Sequence, residues 1–154
     1  MDSGAIFSFF YDHHIYTAAA LGAIIGLERE IAGKDPSLRT FALISMGSCI
    51  FALLSRLSVA DVPAGDPSRI AAQVVAGIGF IGAGAIFRSP KGISGLTTAA
   101  LMWATSGIGM AVGFDQTKLA VDATIAALFI TLCLNIVHQI IRYIRGDDRI
   151  SKPE

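Results

Sequence analysis

Five apolar stretches occupy most of this chain of 154 residues, and they limit the folds that are open to it. They cover residues 15–27, 40–54, 70–87, 93–114 and 119–141. Because a helix needs about 20 apolar residues to cross a bilayer, with a range of about 17 to 25, the last three stretches are long enough. The first two reach that length only by including flanking residues. The pattern predicts an all-α integral membrane bundle of about five transmembrane helices.

The scarcity of charged residues points the same way. Only 16% of the residues are charged and the mean hydropathy is +0.63, whereas about a quarter of the residues of a typical soluble domain are charged. A nucleic-acid-binding protein needs a basic surface, and a disordered chain needs high charge with low hydrophobicity. This chain has neither, since its formal net charge is zero. We therefore expect a lipid bilayer around it and no nucleic-acid partner.

Lysines and arginines are distributed unevenly between the connections. With five spans, the loop after the first span, the loop after the third and the C-terminal tail share one side, and nine of the twelve lysines and arginines fall there. The side richer in these residues is cytoplasmic, so we expect the N-terminus outside and the C-terminus in the cytoplasm. The transmembrane domain would cover residues 1–146 and a short cytoplasmic tail residues 147–154. A four-span arrangement, with the first stretch on the membrane surface and both termini inside, is the alternative.

The tripeptide Asp-Pro-Ser precedes both the second and the third apolar stretch, at residues 35–37 and 66–68. Aspartate is a favoured N-cap and proline suits the first helical position, so we expect Asp35 and Asp66 to cap two helices. The repetition also raises the alternative of an inverted repeat, which many transporters contain. Use of the same cap chemistry by two helices is the simpler interpretation.

Glycines dominate the third apolar stretch, at Gly77, Gly79, Gly82 and Gly84. Their spacing contains a G-x-G-x-x-G pattern, but a dinucleotide fingerprint needs a preceding strand and an acidic residue about 20 positions later. This pattern lies inside a predicted span, and no acidic residue follows at that distance. The glycines are therefore interpreted as helix-packing residues, since small residues let membrane helices approach closely. The alternative is that they let the helix break and expose carbonyl groups to an ion.

Small residues at three- and four-residue spacing also form a stripe on the predicted third helix. The stripe consists of Ala72, Ala76, Gly79 and Ala83. The same spacing recurs in the first and fourth stretches, at Gly22 and Gly26 and at Gly109 and Gly113. Such stripes are helix-association surfaces in membranes, so we expect a homo-oligomer or binding to other membrane proteins.

Charged and polar residues collect where the predicted spans begin and end. Ionisable groups at membrane depth are costly, so they tend to pair with one another or to line a polar path. Arg69 and Gln73, four residues apart, share a helical face. The candidate site for an ion or a partner comprises Glu28, Arg29, Glu30, Asp35, Arg39, Thr40, Asp66, Arg69, Gln73, Thr97 and Thr98. The alternative is that these residues are interfacial anchors and helix caps.

Sequence motifs of enzymes are absent from the chain. It contains no H-E-x-x-H, no G-x-S-x-G and no Walker A loop. We therefore expect no enzymatic activity, no catalytic residue and no cofactor. The sequence leaves any metal ligand undefined.

Several segments together carry a family resemblance. They are Gly-Leu-Glu-Arg-Glu at residues 26–30, Leu-Arg-Thr at 38–40, the glycine-rich segment 69–84, and Gly-Leu-Thr-Thr-Ala-Ala at 95–100 followed by Trp103. From about residue 21 to residue 114 the chain resembles the MgtC/SapB family of bacterial inner-membrane proteins. The family's usual glycine and histidine around the Leu-Arg-Thr motif are replaced here by Ser37 and Phe41. The chain looks like the short form of the family, without the soluble C-terminal domain of longer members.

The resemblance implies a multi-pass protein of the bacterial inner membrane that is linked to growth in low magnesium, acid stress or survival inside macrophages. It also implies membrane-protein partners, such as the proton-translocating ATP synthase. One hypothesis is a non-enzymatic regulator that binds other membrane proteins. The other is a transporter or channel for magnesium, protons or a small solute. In that case the polar side chains should converge on one cavity, namely those of Glu28, Arg29, Asp35, Arg39, Arg69, Gln73, Thr97 and Thr98.

Overall fold

The computed structural model describes residues 13–62, 64–90 and 92–144. Five helices and one hairpin are present in these residues. The helices are α1 His14–Ile31, α2 Leu38–Leu57, α3 Ser68–Gly84, α4 Leu96–Gly113 and α5 Thr117–Ile144. Two antiparallel strands, β1 Phe87–Ser89 and β2 Gly92–Ser94, lie between α3 and α4. The predicted helical bundle is confirmed, with a small hairpin added, while the predicted tail lies outside the described residues.

Three of these helices are long and apolar enough to cross a membrane among the residues described. They are α2, α4 and the part of α5 at Thr117–Val137. Helix α3 is also apolar but only 17 residues long, and α1 carries three charged residues in its last turn. The structure is thus that of a membrane helical domain. The count of five spans and their orientation stay predictions.

The bundle has two ends, and each is formed by the helix termini and loops that lie together there. One end, called the Arg29 end below, contains the end of α1, the starts of α2 and α4, the end of α3 and the hairpin. The other end, called the Asp115 end, contains the start of α1, the end of α2, the start of α3 and the loop after α4. Arg56 pairs with Asp115 there, and Ser55 donates a hydrogen bond to the carbonyl oxygen of Pro67.

Helices α1, α2 and α4 form the core, and they touch most closely at glycines. A Cβ on Gly22 of α1 would lie 2.5 Å from the carbonyl oxygen of Phe41 in α2. A Cβ on Gly109 of α4 would collide with the carbonyl oxygen of Ser45, and a Cβ on Gly113 would lie 2.6 Å from the carbonyl oxygen of Cys49. These helices therefore meet backbone to backbone, as the small-residue spacing in the first and fourth stretches predicts.

Hydroxyl side chains fill part of the seam between α2 and α4. The Oγ atoms of Ser48 and Ser106 are 2.9 Å apart and form a buried hydrogen bond. The hydroxyl oxygens of Ser45 and Thr105 are buried without a hydrogen-bond partner in the described part of the chain. An unsatisfied buried hydroxyl costs about 1–3 kcal/mol. Close backbone packing, more than hydrogen bonding, therefore holds this seam together.

The predicted bounds of the third and fourth spans are wrong where the chain passes from α3 to α4. The apolar stretches ran to residue 87 and restarted at residue 93, but α3 ends at Gly84 and α4 begins at Leu96. Pro90 disfavours a helical residue before it. Gly92 and Gly95 have φ values of 130° and 85°, which favour glycine and are incompatible with a helix. The chain therefore turns back as a hairpin.

The two Asp-Pro-Ser tripeptides start their helices differently. Oδ1 of Asp66 accepts hydrogen bonds from the backbone N–H of Ser68 (2.9 Å) and from its hydroxyl (2.6 Å), so it satisfies the first N–H of α3, although the N-cap position itself is Pro67. At α2 the N-cap is Ser37 and no side chain caps the helix, so the prediction for Asp35 is wrong. Helix α2 begins only after its tripeptide, whereas α3 begins at the last residue of its own. Asp35 is thereby left outside the first turn.

Helix α3 runs unbroken through its glycines, so the alternative of a break in this helix is not observed. Of the four predicted packing glycines, only Gly82 faces another helix among the residues described, since its Cβ would lie 3.7 Å from Ala99 in α4. A Cβ on any of the other three would meet nothing within 4 Å; these are Gly77, Gly79 and Gly84. Their packing against another molecule stays a prediction.

One side of α3 holds it to the bundle, and the others are open. The buried residues are Ala71, Ile78 and Gly82. The stripe of small residues lies away from them and is exposed at each of its four positions. It is called the α3 stripe below: Ala72, Ala76, Gly79 and Ala83. Helix α3 is therefore the peripheral helix of the bundle.

Gly109→Ala should destabilise the bundle, because the added Cβ collides with the backbone of Ser45. Overpacking of a tight contact costs about 1–3 kcal/mol, and we expect a lower melting temperature in detergent by circular dichroism. Gly79→Ala is the matched control, since its Cβ meets nothing within 4 Å. The control should be as stable as the native chain or slightly more so. Equal effects of the two substitutions would contradict the packing described.

Candidate functional site

The predicted site residues lie at opposite ends of the bundle. Eight belong to the Arg29 end: Glu28, Arg29, Glu30, Asp35, Arg39, Thr40, Thr97 and Thr98. Asp66 and Arg69 belong to the Asp115 end, and Gln73 lies one turn farther along α3. A helix of 18 residues is about 27 Å long, so the charged residues of the two ends are too far apart to meet at one site. The convergence that the transport hypothesis requires is not found within the described chain.

Glu28 and Arg29 neutralise each other inside the bundle. Nε and Nη2 of Arg29 donate hydrogen bonds to the two carboxylate oxygens of Glu28. The two side chains are almost fully buried, with Arg29 4% exposed. A buried charge is tolerated when it is paired and hydrogen-bonded, which this forked arrangement achieves. The pair therefore leaves neither Glu28 nor Arg29 as an unpaired charge in the last turn of α1.

The other charged residues of the predicted site point outward. Glu30, Asp35, Arg39 and Arg69 are exposed and make no ion pair or hydrogen bond with another residue that the structure describes. Asp66 is also exposed, and hydrogen bonds from the side chain and backbone of Ser68 hold its pKa below the ordinary value. These residues are available to headgroups, solvent or a partner.

The threonines of the predicted site have separate surroundings. Thr97 is exposed at the start of α4, whereas Thr98 is 5% exposed and lies in the core. Thr40 is half-buried and lines a cleft between α2 and α3, together with Gln73 on the opposite wall. Thr40 and Gln73 therefore face one cavity, and Thr40 also lines a second cavity together with Asp35.

The α2–α3 cleft has a volume of about 700 Å³. Most of its lining is apolar, and polar atoms come only from Thr40, Ser48 and Gln73 among its lining residues. Gly47 on α2 and Gly77 on α3 face it without any neighbour within 4 Å of a Cβ. Sequence reasoning missed this cleft, because the glycine on each wall becomes informative only once the two helices are placed side by side.

A cluster at the Asp115 end was also missed. Nε2 of His14 lies 2.6 Å from Oδ1 of Asp115, and Nη2 of Arg56 pairs with Oδ2 of the same carboxylate. Nη1 of Arg56 donates to the carbonyl oxygen of Gly113 at 2.9 Å, which satisfies the end of α4. The cluster joins three elements that are far apart in sequence, so no local sequence motif predicts it.

The charge balance of this cluster affects Asp115. Partial burial acts to raise the pKa of Asp115, but hydrogen bonds and charges from Arg56 and His14 outweigh it, so the pKa lies below its ordinary value. Asp115 also has a φ of 61°, in the left-handed region that aspartate and asparagine tolerate better than most residues. The carboxylate is thus an anchor for the loop after α4.

Comparison with known proteins decides the family. The model of the MgtC family matches residues 15–140, which is most of the chain. The chain belongs to the MgtC family. The predicted resemblance is therefore confirmed.

The relatives of this MgtC-family chain include proteins of enteric bacteria. It is 47% identical over 131 residues to "Putative magnesium transporter YhiD" of Escherichia coli (strain K12), covering 82% of the chain and 59% of the relative. It is 44% identical over 127 residues to "Protein MgtC" of Salmonella typhimurium (strain LT2), covering 82% and 52%. An "Uncharacterized protein" of Haemophilus influenzae is 43% identical over 118 residues, covering 72% and 50%.

The match covers only part of the length of each relative. The chain spans about half the length of the curated relatives that it matches. No solved structure matches the chain.

Asp115→Asn should lower stability at about pH 6, because it removes both ion pairs while asparagine still tolerates the left-handed backbone. Exposed pairs contribute up to about 1 kcal/mol each. An acid with a depressed folded-state pKa stabilises the fold above its unfolded pKa of about 3.9 and loses this effect as pH falls. The difference in melting temperature from the native chain should therefore shrink below about pH 4.

Asp122→Asn is the matched control, since Asp122 pairs only within α5, with the exposed Lys118. An exposed pair at this spacing contributes about 0.2–0.5 kcal/mol, so the control should be nearly neutral. If the two variants behave alike at about pH 6, the cluster does not anchor the Asp115 end.

Proposed function

We propose that this MgtC-family chain is a non-enzymatic protein of the bacterial inner membrane that acts by binding other membrane proteins. The observation that carries the proposal is the exposed α3 stripe. Small residues along a membrane helix allow a second helix to approach closely, and no helix of the described chain covers these positions. The charges, in contrast, are either paired internally or spread over two ends of the bundle.

The biological setting follows from the relatives. One of them is named MgtC and another carries a name that describes it as a magnesium transporter. We propose that the chain serves adaptation to low magnesium, with acid stress and intracellular growth as related conditions.

The proposed membrane arrangement has all five helices spanning the bilayer, with the Arg29 end in the cytoplasm. The excess of lysine and arginine in the connections at that end supports this orientation. Helix α1 also supports five spans, because its residues Ala18, Gly22, Ile25 and Gly26 are buried within the bundle. A helix that lay on the membrane surface would not contribute such a face to the core.

Magnesium transport is the second candidate, favoured by the name of the Escherichia coli relative. The α2–α3 cleft does not suit a divalent cation, since Mg²⁺ requires an octahedron of oxygen ligands and prefers carboxylates. No carboxylate lines that cleft, and the described residues contain no group of three or more His, Cys, Asp or Glu residues that could hold a metal. The partner-binding proposal therefore has the stronger support.

Ala76→Leu should abolish function without unfolding the protein, because a bulky side chain on the α3 stripe prevents close helix approach. The measurement is growth in low magnesium of a bacterial strain that lacks its own copy and expresses the variant. Ala126→Leu, the same change at an exposed position of α5, is the matched control and should restore growth. Both proteins should be present in the membrane in equal amounts.

Growth that Ala76→Leu and Ala126→Leu restore equally would contradict the proposal. A second measurement addresses transport directly, in proteoliposomes that contain the purified chain. We expect no magnesium-dependent or proton-dependent flux above empty vesicles. A flux that falls in Arg69→Ala or Glu28→Gln would overturn the proposal in favour of a transporter.

A further inference from the structure

The α2–α3 cleft has the length of one membrane leaflet. On α2 it extends from Thr40 to Phe51, and on α3 from Ile70 to Ile81. Eleven residue steps along a helix measure about 16 Å. Half of a hydrocarbon core about 30 Å thick is about 15 Å, so the cleft matches one layer of acyl chains.

The volume of the cleft excludes a helix as an enclosed occupant. A helix about 10 Å across and about 30 Å long fills roughly 2,400 Å³. The cleft has about 700 Å³, which is within the usual range of ligand pockets, about 300–1,000 Å³. Slender apolar ligands such as acyl chains fit these dimensions, whereas a helix of a second chain could only cover the opening.

The cleft continues into a polar mouth at the Arg29 end. A second cavity of about 480 Å³ shares Thr40 and Ile81 with the cleft and is lined in addition by Asp35 and Phe87. The mouth therefore opens where the apolar walls of the cleft end, beside the connection between α1 and α2. A molecule with an apolar chain in the cleft would place its polar group there.

One charged residue lines the mouth, and two more are next in sequence to residues that line it. Asp35 lines it directly, Arg39 precedes Thr40, and Arg88 follows Phe87. These three side chains are exposed and form no ion pair with another described residue. An ammonium group in the mouth would complement Asp35, and an anionic phosphate beside it would be attracted to Arg39. Arg88 is placed less well, because neighbouring residues of a strand point to opposite faces and Phe87 is the one that lines the mouth.

We propose that the α2–α3 cleft binds one zwitterionic phospholipid, with an acyl chain between α2 and α3 and its headgroup in the mouth. The ammonium group lies with Asp35, and the phosphate lies at the edge of the mouth on the side of Arg39. Asp35 thereby selects against lipids whose headgroup carries a phosphate without an ammonium group. The proposal does not depend on partner binding, since it concerns the face of α3 opposite to the α3 stripe.

The test is native mass spectrometry of the purified full chain in detergent with added lipid. The probes are phosphatidylethanolamine, which has an ammonium group, and phosphatidylglycerol of the same acyl composition, which has none. We expect one retained phosphatidylethanolamine per chain and about tenfold weaker retention of phosphatidylglycerol, equivalent to about 1.4 kcal/mol.

Three substitutions on α2 and α3 test whether the lipid lies in the cleft. Gly77→Leu fills the cleft and should abolish retention of phosphatidylethanolamine, whereas Gly79→Leu, on another face of the same helix, should not. Gly47→Leu fills the cleft from α2 and should repeat the effect of Gly77→Leu. Circular dichroism of all three variants shows whether they are folded.

The mouth is tested by Asp35→Asn and Arg39→Gln. Asp35→Asn should remove the preference between the two lipids while binding is retained. Arg39→Gln should weaken the binding of both.

Three results would overturn the proposal. The first is equal retention of the two lipids by the native chain, which indicates a non-selective lipid layer. The second is unchanged retention in folded Gly77→Leu and Gly47→Leu. The third is a dimer of the native chain that carries no lipid and dissociates on Gly77→Leu, which would make the cleft an interface between copies. None of these results bears on the growth assay of Ala76→Leu, so the two proposals fail separately.

Discussion

The close approach of α1 and α4 to the backbone of α2 is the contact on which the rest of the structure depends. Inside a bilayer apolar surfaces gain little from leaving lipid, so helices associate through close packing. Gly22, Gly109 and Gly113 make that packing possible, because a side chain at any of them would meet the main chain or a neighbouring side chain of α2. Once three helices are joined in this way, α3 has room only at the edge of the bundle.

The peripheral position of α3 explains why the exposed features of this MgtC-family chain lie on it. One side holds it to α4, a second side faces the cleft, and a third carries the α3 stripe. The charges have mostly local tasks: Glu28 and Arg29 neutralise each other, and Asp115 joins Arg56 and His14 across three elements. Partner binding by one face of α3 and lipid binding by another are compatible with this division.

Much of the fold could be predicted from the sequence, because helices in apolar stretches and close packing at Gly22 and Gly109 follow from local patterns. The hairpin was missed because Ile93 and Phe87 extend the apolar stretches, whereas its conformation depends on Gly92 and Gly95. The site was harder to predict. Residues at span ends look alike in sequence, yet Arg29 is buried while Arg39 is exposed, and that difference arises only when helices pack. The pairing of His14 with Asp115 spans a hundred residues and left no local signal.

Formation of a disulfide between α2 and α4 tests the central packing most directly. The Oγ atoms of Ser48 and Ser106 are 2.9 Å apart. In a chain whose two native cysteines are replaced by alanine, the double substitution Ser48→Cys and Ser106→Cys should therefore give nearly complete intrachain crosslinking under mild oxidation in native membranes. Combining Ser48→Cys with Ala126→Cys on α5 serves as the control and should give none. Absence of the first crosslink, or its formation only between chains, would contradict the core of α1, α2 and α4.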